Sequence, residues 1–214
     1  MVLLNTEEIN DMVIKAYDSI ASSYTNAYAE NDDLDSKYLD EFISIILGNK
    51  ILDMGCGNGI NTAYLDKHGF NVIGIDKSKN MLNEARRLFP KVVFEEQDIL
   101  ATNFSNHSFD GIVLAYVINH FNSEGLNSLK KEIDRLLITN GLVFISAHIG
   151  NSEEIVKDPL DDTINIYYNF LSVESLDKLF FDYTREYYSV RPSYGEDEFL
   201  CDKMFIIYRK RALL

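Results

Sequence analysis

The sequence has few of the residues that mark secreted, metal-binding or membrane-embedded proteins. Its 214 residues include no tryptophan, 3 prolines and 2 cysteines, Cys56 and Cys201. Two cysteines at this spacing form neither a disulfide framework nor a zinc site, and they fit a reducing compartment. The longest apolar runs, 42–47 and 111–118, fall well short of the roughly 20 residues that a membrane span needs. Because polar residues follow Leu4 at once, we expect no signal peptide and a cytoplasmic protein.

Positive charge is also scarce. Lysine and arginine together number 20 against 34 aspartates and glutamates, which gives a formal net charge of −14. Such a surface repels phosphate backbones, so the charge argues against a nucleic-acid partner. With 46% hydrophobic residues, the chain suits one globular domain with a sizeable core. Neither charge nor length indicates an oligomeric state.

Short apolar runs alternate with amphipathic stretches from residue 50 onward. The runs predict strands at 51–52, 71–75, 92–94, 111–117 and 142–146, and the stretches predict helices at 60–67, 79–88 and 126–137. This alternation predicts a parallel sheet covered by helices on both faces. The flanking segments predict helices at 7–24, 34–47 and 172–180 and strands at 184–190 and 204–209, with an irregular stretch at 149–171.

We expect these elements to form a single domain, 1–214, with four regions. They are an N-terminal helical cap (1–48), a ligand-binding core (49–148), a substrate-side insert (149–171) and a C-terminal helix with two strands (172–214).

The first strand leads into a glycine-rich loop, Asp53-Met54-Gly55-Cys56-Gly57-Asn58-Gly59. Glycines here let the backbone turn sharply and approach a ligand closely. Asp76 ends the next strand about 20 residues after Gly55, the spacing at which an acid accepts hydrogen bonds from ribose hydroxyls. The pattern therefore indicates a nucleoside ligand at the carboxyl edge of the sheet.

Three carboxylates surround this expected site, those of Asp53, Asp76 and Asp98. They suit a ligand with sulfonium and ammonium groups better than one with two phosphates. The charge therefore favours S-adenosylmethionine over NAD, although an NAD-dependent oxidoreductase stays open as an alternative because dinucleotide sites also carry a ribose-binding acid.

Further segments follow the glycine loop in order, at 72–78, 81–82, 85, 97–99, 108–113 and 136–142, and the segment 17–24 precedes it. Together they resemble the class I S-adenosylmethionine-dependent methyltransferases that act on small molecules. The resemblance implies an α/β fold, doubly wound around a mostly parallel seven-stranded sheet of order 3-2-1-4-5-7-6. It also implies an antiparallel last strand and a helical cap over the sheet.

The resemblance further implies S-adenosylmethionine as cofactor and S-adenosylhomocysteine as product. In that family pattern, Asp53, Gly55 and Gly57 surround the methionine part, Asp76 holds the ribose, and Asp98 accepts from the adenine amino group. The full set of implied cofactor-binding residues is Tyr24, Asp53, Gly55, Cys56, Gly57, Asp76, Lys77, Met81, Asp98, Ile99, Ala115 and Tyr116.

Methyl transfer is an in-line displacement at the sulfonium carbon, which requires proximity, alignment and exclusion of water. A general base is needed only where the acceptor must lose a proton in the transition state. His120, after the fourth strand, and His148, after the fifth, are the catalytic candidates. Each has an alternative as a loop histidine bonded to backbone, and a domain that binds cofactor without turnover also stays open.

The methyl acceptor is expected to be a small molecule, neutral or cationic. After strand four the sequence has neither an Asn/Asp-Pro-Pro-Tyr element nor Pro-Cys, which argues against the methylation of nucleic-acid bases. We expect 149–171 and 191–201 to form the acceptor pocket, with Tyr167 and Tyr168 as candidate walls. Glu196–Glu198 would attract a cationic acceptor.

Overall fold

The structure is a computed structural model that describes residues 4–28, 33–193 and 201–212. Its helices are α1 (Thr6–Tyr28), α2 (Asp33–Ile45), α3 (Ile60–Lys67), α4 (Lys79–Leu88), α5 (Ser123–Leu136) and α6 (Val173–Leu179), with a 3-10 turn at Val117–His120. Its strands are β1 (Lys50–Met54), β2 (Asn71–Asp76), β3 (Val93–Glu96), β4 (Phe109–Ala115), β5 (Leu137–His148), β6 (Glu153–Lys157), β7 (Asn165–Asn169), β8 (Tyr183–Arg191) and β9 (Lys203–Lys210).

Seven strands form one sheet in the order β3-β2-β1-β4-β5-β9-β8. Strands β1 to β5 run parallel, while β9 is antiparallel to both of its neighbours. When β6 and β7 are left out of the numbering, this order is the predicted one, so the fold class is confirmed. The carboxyl ends of β1, β2 and β4 consequently meet at one edge, where ligands bind in open parallel sheets.

Both faces of the sheet are buried because successive side chains of a strand point to opposite faces. In β1, Leu52 belongs to the core beneath α5 and α6, and Ile51 belongs to the core beneath α2. On the second face the ring of Tyr38 stacks on Phe205, with centroids 3.6 Å apart. Burial on both faces explains why the central strands read as continuous apolar runs in the sequence.

The insert 149–171 was expected to be irregular, and this expectation is wrong. Strands β6 and β7 pair antiparallel as a separate two-stranded sheet. The side chains of Ile166 and Tyr168 are buried in a cluster with Ala16 of α1. The apolar face of this hairpin is thus completed by a helix about 150 residues away in sequence, which local periodicity does not reveal. None of the described helices is long and apolar enough to cross a membrane.

Candidate active site

The glycine loop after β1 adopts backbone angles that favour glycine. Gly55, Gly57 and Gly59 all have positive φ, at 76°, 53° and 81°. A Cβ on Gly55 would lie 2.5 Å from Cγ2 of Val117, closer than carbon atoms approach. The amides of Gly55 and Cys56 both donate to the carbonyl of Ile75, at 2.8 and 3.0 Å. The loop is therefore fixed to β2, and the missing side chain at Gly55 makes room for Val117, which packs against it.

Asp76 lies beside this loop at the end of β2. One carboxylate oxygen accepts from the Gly57 amide at 2.9 Å, and the other accepts from the Ser78 amide at 2.8 Å. Burial raises the pKa of Asp76, and these hydrogen bonds oppose that rise. The carboxylate is thus oriented by the segments before and after it.

Asp18 of α1 ties the helical cap to this edge of the sheet, a role that sequence reasoning missed. Its carboxylate accepts from the Ser78 hydroxyl at 2.6 Å and from the Asn80 amide at 3.1 Å. Ser78 is also the N-cap of α4, so one serine joins two helices. In the sequence, the only indication of this role was that Asp18 lies within the segment 17–24, which is part of the family resemblance.

A first cleft of about 780 Å³ opens between α1 and the carboxyl edge of the sheet. The structure brings ten of the predicted cofactor-binding residues together in its wall, along with Tyr17 and His120. The ten are Tyr24, Gly55, Gly57, Asp76, Lys77, Met81, Asp98, Ile99, Ala115 and Tyr116.

Asp53 and Cys56 lie behind the loop and do not line this cleft. Asp53 is fully buried, accepts a hydrogen bond from the Thr62 hydroxyl at 2.6 Å, and has its pKa raised by burial to about 7. Cys56 packs in a small apolar cluster with Phe94, and burial raises the pKa of its thiol. These two side chains can therefore affect cofactor binding only by holding the backbone of the loop in its conformation.

Asp98 caps a turn and also forms an ion pair. One carboxylate oxygen accepts from the Leu100 amide at 2.9 Å, and the other lies 2.9 Å from Nζ of Lys77. Both side chains are partly exposed, so the pair contributes little to stability. The pair places the carboxylate and the ammonium at the same end of the cleft wall.

His120 uses both ring nitrogens within the protein. Nδ1 lies 3.0 Å from the carbonyl of Tyr167, and Nε2 lies 2.9 Å from the hydroxyl of Tyr17. Because a carbonyl only accepts, Nδ1 carries the proton and Nε2 accepts from Tyr17. Burial lowers the pKa of His120 to about 4. The imidazole is therefore neutral and linked to α1.

A second cleft of about 1290 Å³ adjoins the first. Tyr17, Tyr24, Ala115 and Tyr116 line both clefts. The second cleft is also lined by Asp158 and Tyr168 of the insert, by His148 and Lys203, which are paired on β5 and β9, and by Asp35 and Arg191. Tyr167 does not line it, because its hydroxyl donates to Glu153 at 2.8 Å. The predicted Glu196–Glu198 lie outside the described residues.

Tyr116 forms the wall between the clefts in a strained conformation. It has a φ of 60°, which is uncommon for a bulky residue and often marks a functional site. Its amide donates to the carbonyl of Ser146 at 2.9 Å, and its hydroxyl donates to Asp35 at 2.6 Å. Asp35 also accepts from Nε of Arg191 at 2.9 Å. Sequence reasoning missed Asp35, since nothing local distinguishes it from other helix-surface acids.

The chain is similar to known methyltransferases. Residues 51–141 match the model of a family described as a methyltransferase domain. An uncharacterized methyltransferase of Alkaliphilus oremlandii is 27% identical over 157 residues, which cover 72% of each chain. A phosphoethanolamine N-methyltransferase of Plasmodium falciparum is 27% identical over 177 residues, which cover 80% of this chain and 65% of that protein.

A solved structure has the same fold. It is the Burkholderia thailandensis 1,6-didemethyltoxoflavin-N1-methyltransferase with bound 1,6-didemethyltoxoflavin and S-adenosylhomocysteine. The two superpose with a TM-score of 0.74 at 17% identity, over 99% of this chain and 93% of that one.

Fold, glycine loop and relatives define a methyltransferase with a Rossmann-like core. The match over 51–141 and the relatives support a class I S-adenosylmethionine-dependent methyltransferase, with S-adenosylmethionine as cofactor. The predicted enzyme class and cofactor are therefore confirmed. The family match spans the loop, Asp76 and Asp98 but ends at residue 141, before β6 and β7. The second cleft is therefore built largely from segments outside that match.

Proposed function

We propose that this methyltransferase transfers the methyl group to a small-molecule acceptor bound in the second cleft. The observation that carries the proposal is the shared wall of Tyr17, Tyr24, Ala115 and Tyr116. A sulfonium methyl group at this wall faces the second cleft, where an acceptor atom gains the proximity and alignment that displacement needs. The acceptors named for the two relatives above, phosphoethanolamine and 1,6-didemethyltoxoflavin, are also small molecules.

The first cleft would hold the cofactor through the ten residues that line it. Each oxygen of Asp76 already accepts one backbone amide, and each has a further lone pair for a ribose hydroxyl. The glycine loop offers close backbone approach to the methionine part, and Asp98 lies at the other end, suited to the adenine amino group. Asp53 and Cys56 would act from behind, by holding the loop in shape.

The two candidate histidines have different positions relative to the acceptor. His148 lines the second cleft, with its ring centroid 5.0 Å from that of Tyr116. His120 lines the first cleft, and its Nε2 is occupied by Tyr17. A base role for His148 would be direct, whereas His120 would take up a proton only by way of the Tyr17 hydroxyl.

Titration calorimetry with S-adenosylmethionine, S-adenosylhomocysteine and NADH tests the cofactor, and a metabolite panel read as S-adenosylhomocysteine release tests turnover. We expect both sulfur nucleosides to bind and at least one small molecule to stimulate release. Replacing the insert 149–171 by that of a relative should change acceptor use while cofactor affinity stays intact. Binding of NADH alone, or loss of acceptor use together with cofactor affinity, would contradict the proposal.

A further inference from the structure

The insert side of the second cleft holds a buried carboxylate among tyrosine rings. Asp158, in the connection between β6 and β7, is 7% exposed and lines the cleft. Burial raises the pKa of Tyr17, Tyr24 and Tyr168, with the charge of Asp158 as a smaller cause, and all three rings line the same cleft as Asp158. These phenols stay neutral, so one end of the cleft combines a carboxylate with three neutral aromatic rings.

The carboxylate of Asp158 is oriented by its own loop. It accepts a hydrogen bond from the Leu160 amide at 2.8 Å, while its backbone amide donates to the carbonyl of Ile164 at 3.0 Å. Within the described ranges, no lysine, arginine or histidine nitrogen lies within 4 Å of this carboxylate. A buried carboxylate is costly without a counter-charge, and here the open side of the group is the cleft.

We infer that this end of the second cleft binds a positively charged nitrogen, and that the methyl acceptor is an amine. The inference rests on the proposed function. A cation gains from a nearby carboxylate in a partly desolvated cleft and from the faces of aromatic rings. Tyr17 and Tyr24 belong to the wall shared with the first cleft, so a nitrogen held here lies beside the methyl donor.

The movement of charge during the reaction agrees with an amine. The lone pair of the neutral amine forms a nitrogen–carbon bond as the sulfur–carbon bond breaks and its electron pair passes to sulfur. The sulfonium becomes a neutral thioether, and the nitrogen becomes a positive ammonium. Positive charge therefore passes from the first cleft toward Asp158, which stabilises the transition state as this charge develops.

The point at which a proton is removed also favours an amine over a hydroxyl acceptor. An ammonium acceptor, whether primary, secondary or tertiary, first gives its proton to solvent, and the neutral amine then attacks. A hydroxyl acceptor must lose its proton as it is methylated, because its product is a neutral ether. Because His120 already uses Nε2 to accept from Tyr17, a hydroxyl acceptor would depend on His148 as its base, whereas a neutral amine needs no base for the attack.

The cationic residues of the cleft, Arg191 and Lys203, are bonded to other groups. Arg191 donates to Asp35 at 2.9 Å, and Nζ of Lys203 donates to the Cys201 carbonyl at 3.0 Å. The two residues are opposite each other on β8 and β9. Both cations are therefore engaged elsewhere, and in the described part of the chain neither forms an ion pair with the Asp158 carboxylate.

Calorimetry on the full chain saturated with S-adenosylhomocysteine tests the inference. The probes are choline, which carries a quaternary ammonium, and 3,3-dimethylbutan-1-ol, its uncharged carbon analogue. We expect choline to bind at least tenfold more tightly than the alcohol. Asp158→Asn keeps the shape and an oxygen for the Leu160 amide, and it should abolish this preference. Asp162→Asn, at an exposed position of the same connection, is the matched control and should retain it.

Three results would each overturn the inference. They are no binding of choline, equal binding of the two probes, and a choline affinity that is unchanged in Asp158→Asn. If Asp158→Asn fails to fold, Tyr168→Leu, which removes a ring of the site, takes its place, with Tyr168→Phe as its control. Failure of S-adenosylhomocysteine itself to bind would instead contradict the proposed function. The two failures are therefore distinguishable in one titration series.

Discussion

The hydroxyl of Tyr17 donates to Nε2 of His120 across 2.9 Å, which links α1 to the turn after β4. The two rings also meet edge to face, with centroids 5.3 Å apart. The backbone carbonyl of Tyr167, in β7, accepts from the other ring nitrogen. One buried imidazole therefore joins the helical cap, the catalytic edge of the sheet and the insert.

Tyr17→Phe should destabilise the protein by about 1–3 kcal/mol, because it leaves Nε2 of His120 buried without its donor. Urea unfolding measures this difference. Tyr188→Phe, at a partly exposed position of β8, is the control and should change the free energy of unfolding by less than about 0.5 kcal/mol. Equal effects of the two variants would show that the Tyr17–His120 bond contributes nothing.

His120 should make the fold sensitive to acid. Its pKa is about 4 in the folded protein against an ordinary value of 6.5, because burial disfavours the imidazolium. Its contribution to stability is thus complete above pH 6.5 and is lost as the pH falls toward 4, at up to about 1.4 kcal/mol per pH unit. His120→Gln should lose this dependence relative to the wild type in urea unfolding across pH 4–7. If the free energy of unfolding of His120→Gln depends on pH as that of the wild type does, His120 is not the source of the acid sensitivity.

Asp53 should make the stability of the protein depend on pH in the opposite direction. Burial raises its pKa from 3.8 to about 7, so the folded protein keeps a proton that the unfolded chain releases. Its contribution is complete below pH 3.8 and is lost as the pH rises toward 7. Asp53→Asn should therefore gain stability relative to the wild type over this window. Asp66→Asn, on exposed helix surface, is the control, and a gain of the same size there would refute the prediction.

Asp76→Ala should weaken binding of S-adenosylmethionine by roughly 1.5–3 kcal/mol, the scale of hydrogen bonds to a charged group. Part of the loss should come from the Gly57 and Ser78 amides, which the carboxylate holds in place. Calorimetry measures the affinity, with Asp66→Ala as the control. Unchanged affinity in a folded Asp76→Ala protein would mean that this acid does not hold the cofactor.

Asp35→Asn should impair acceptor use more than cofactor binding. An amide oxygen can still accept from Tyr116, but the charge that holds Arg191 is lost. We expect a higher KM for the acceptor, with the affinity for S-adenosylhomocysteine unchanged within about twofold. Glu41→Gln, on the exposed side of the same helix, should behave as wild type. A parallel loss of cofactor affinity would place Asp35 in the first cleft instead.

The fold was predictable because its signals are local. Apolar runs, glycine caps and the 55–59 loop each report a strand or turn within a few residues, and parallel strands must place their carboxyl ends together. The strand-end residues of the first cleft follow from this rule, whereas Tyr24 and Met81 were implied by the family resemblance. Asp53 and Cys56 were also expected at the cofactor, but a loop residue's position in sequence does not say on which side of the backbone its side chain lies.

The second cleft depends on contacts between distant segments. Asp158 becomes a cleft residue because the hairpin of β6 and β7 packs on α1. Asp35 meets Tyr116 and Arg191 from 81 and 156 residues away. No periodicity or spacing carries such information, since each of these acids resembles an ordinary surface residue within its own segment.

The sequence by itself indicated a nucleoside site at the carboxyl edge of a parallel sheet, because a glycine loop and acids at strand ends place that site through backbone geometry, and its resemblance to methyltransferases implied the methyl donor. Only the tertiary structure decided which side chains line the second cleft. That wall forms where the cap, the insert and the last strands converge, and its charge and shape depend on packing between segments far apart in the chain.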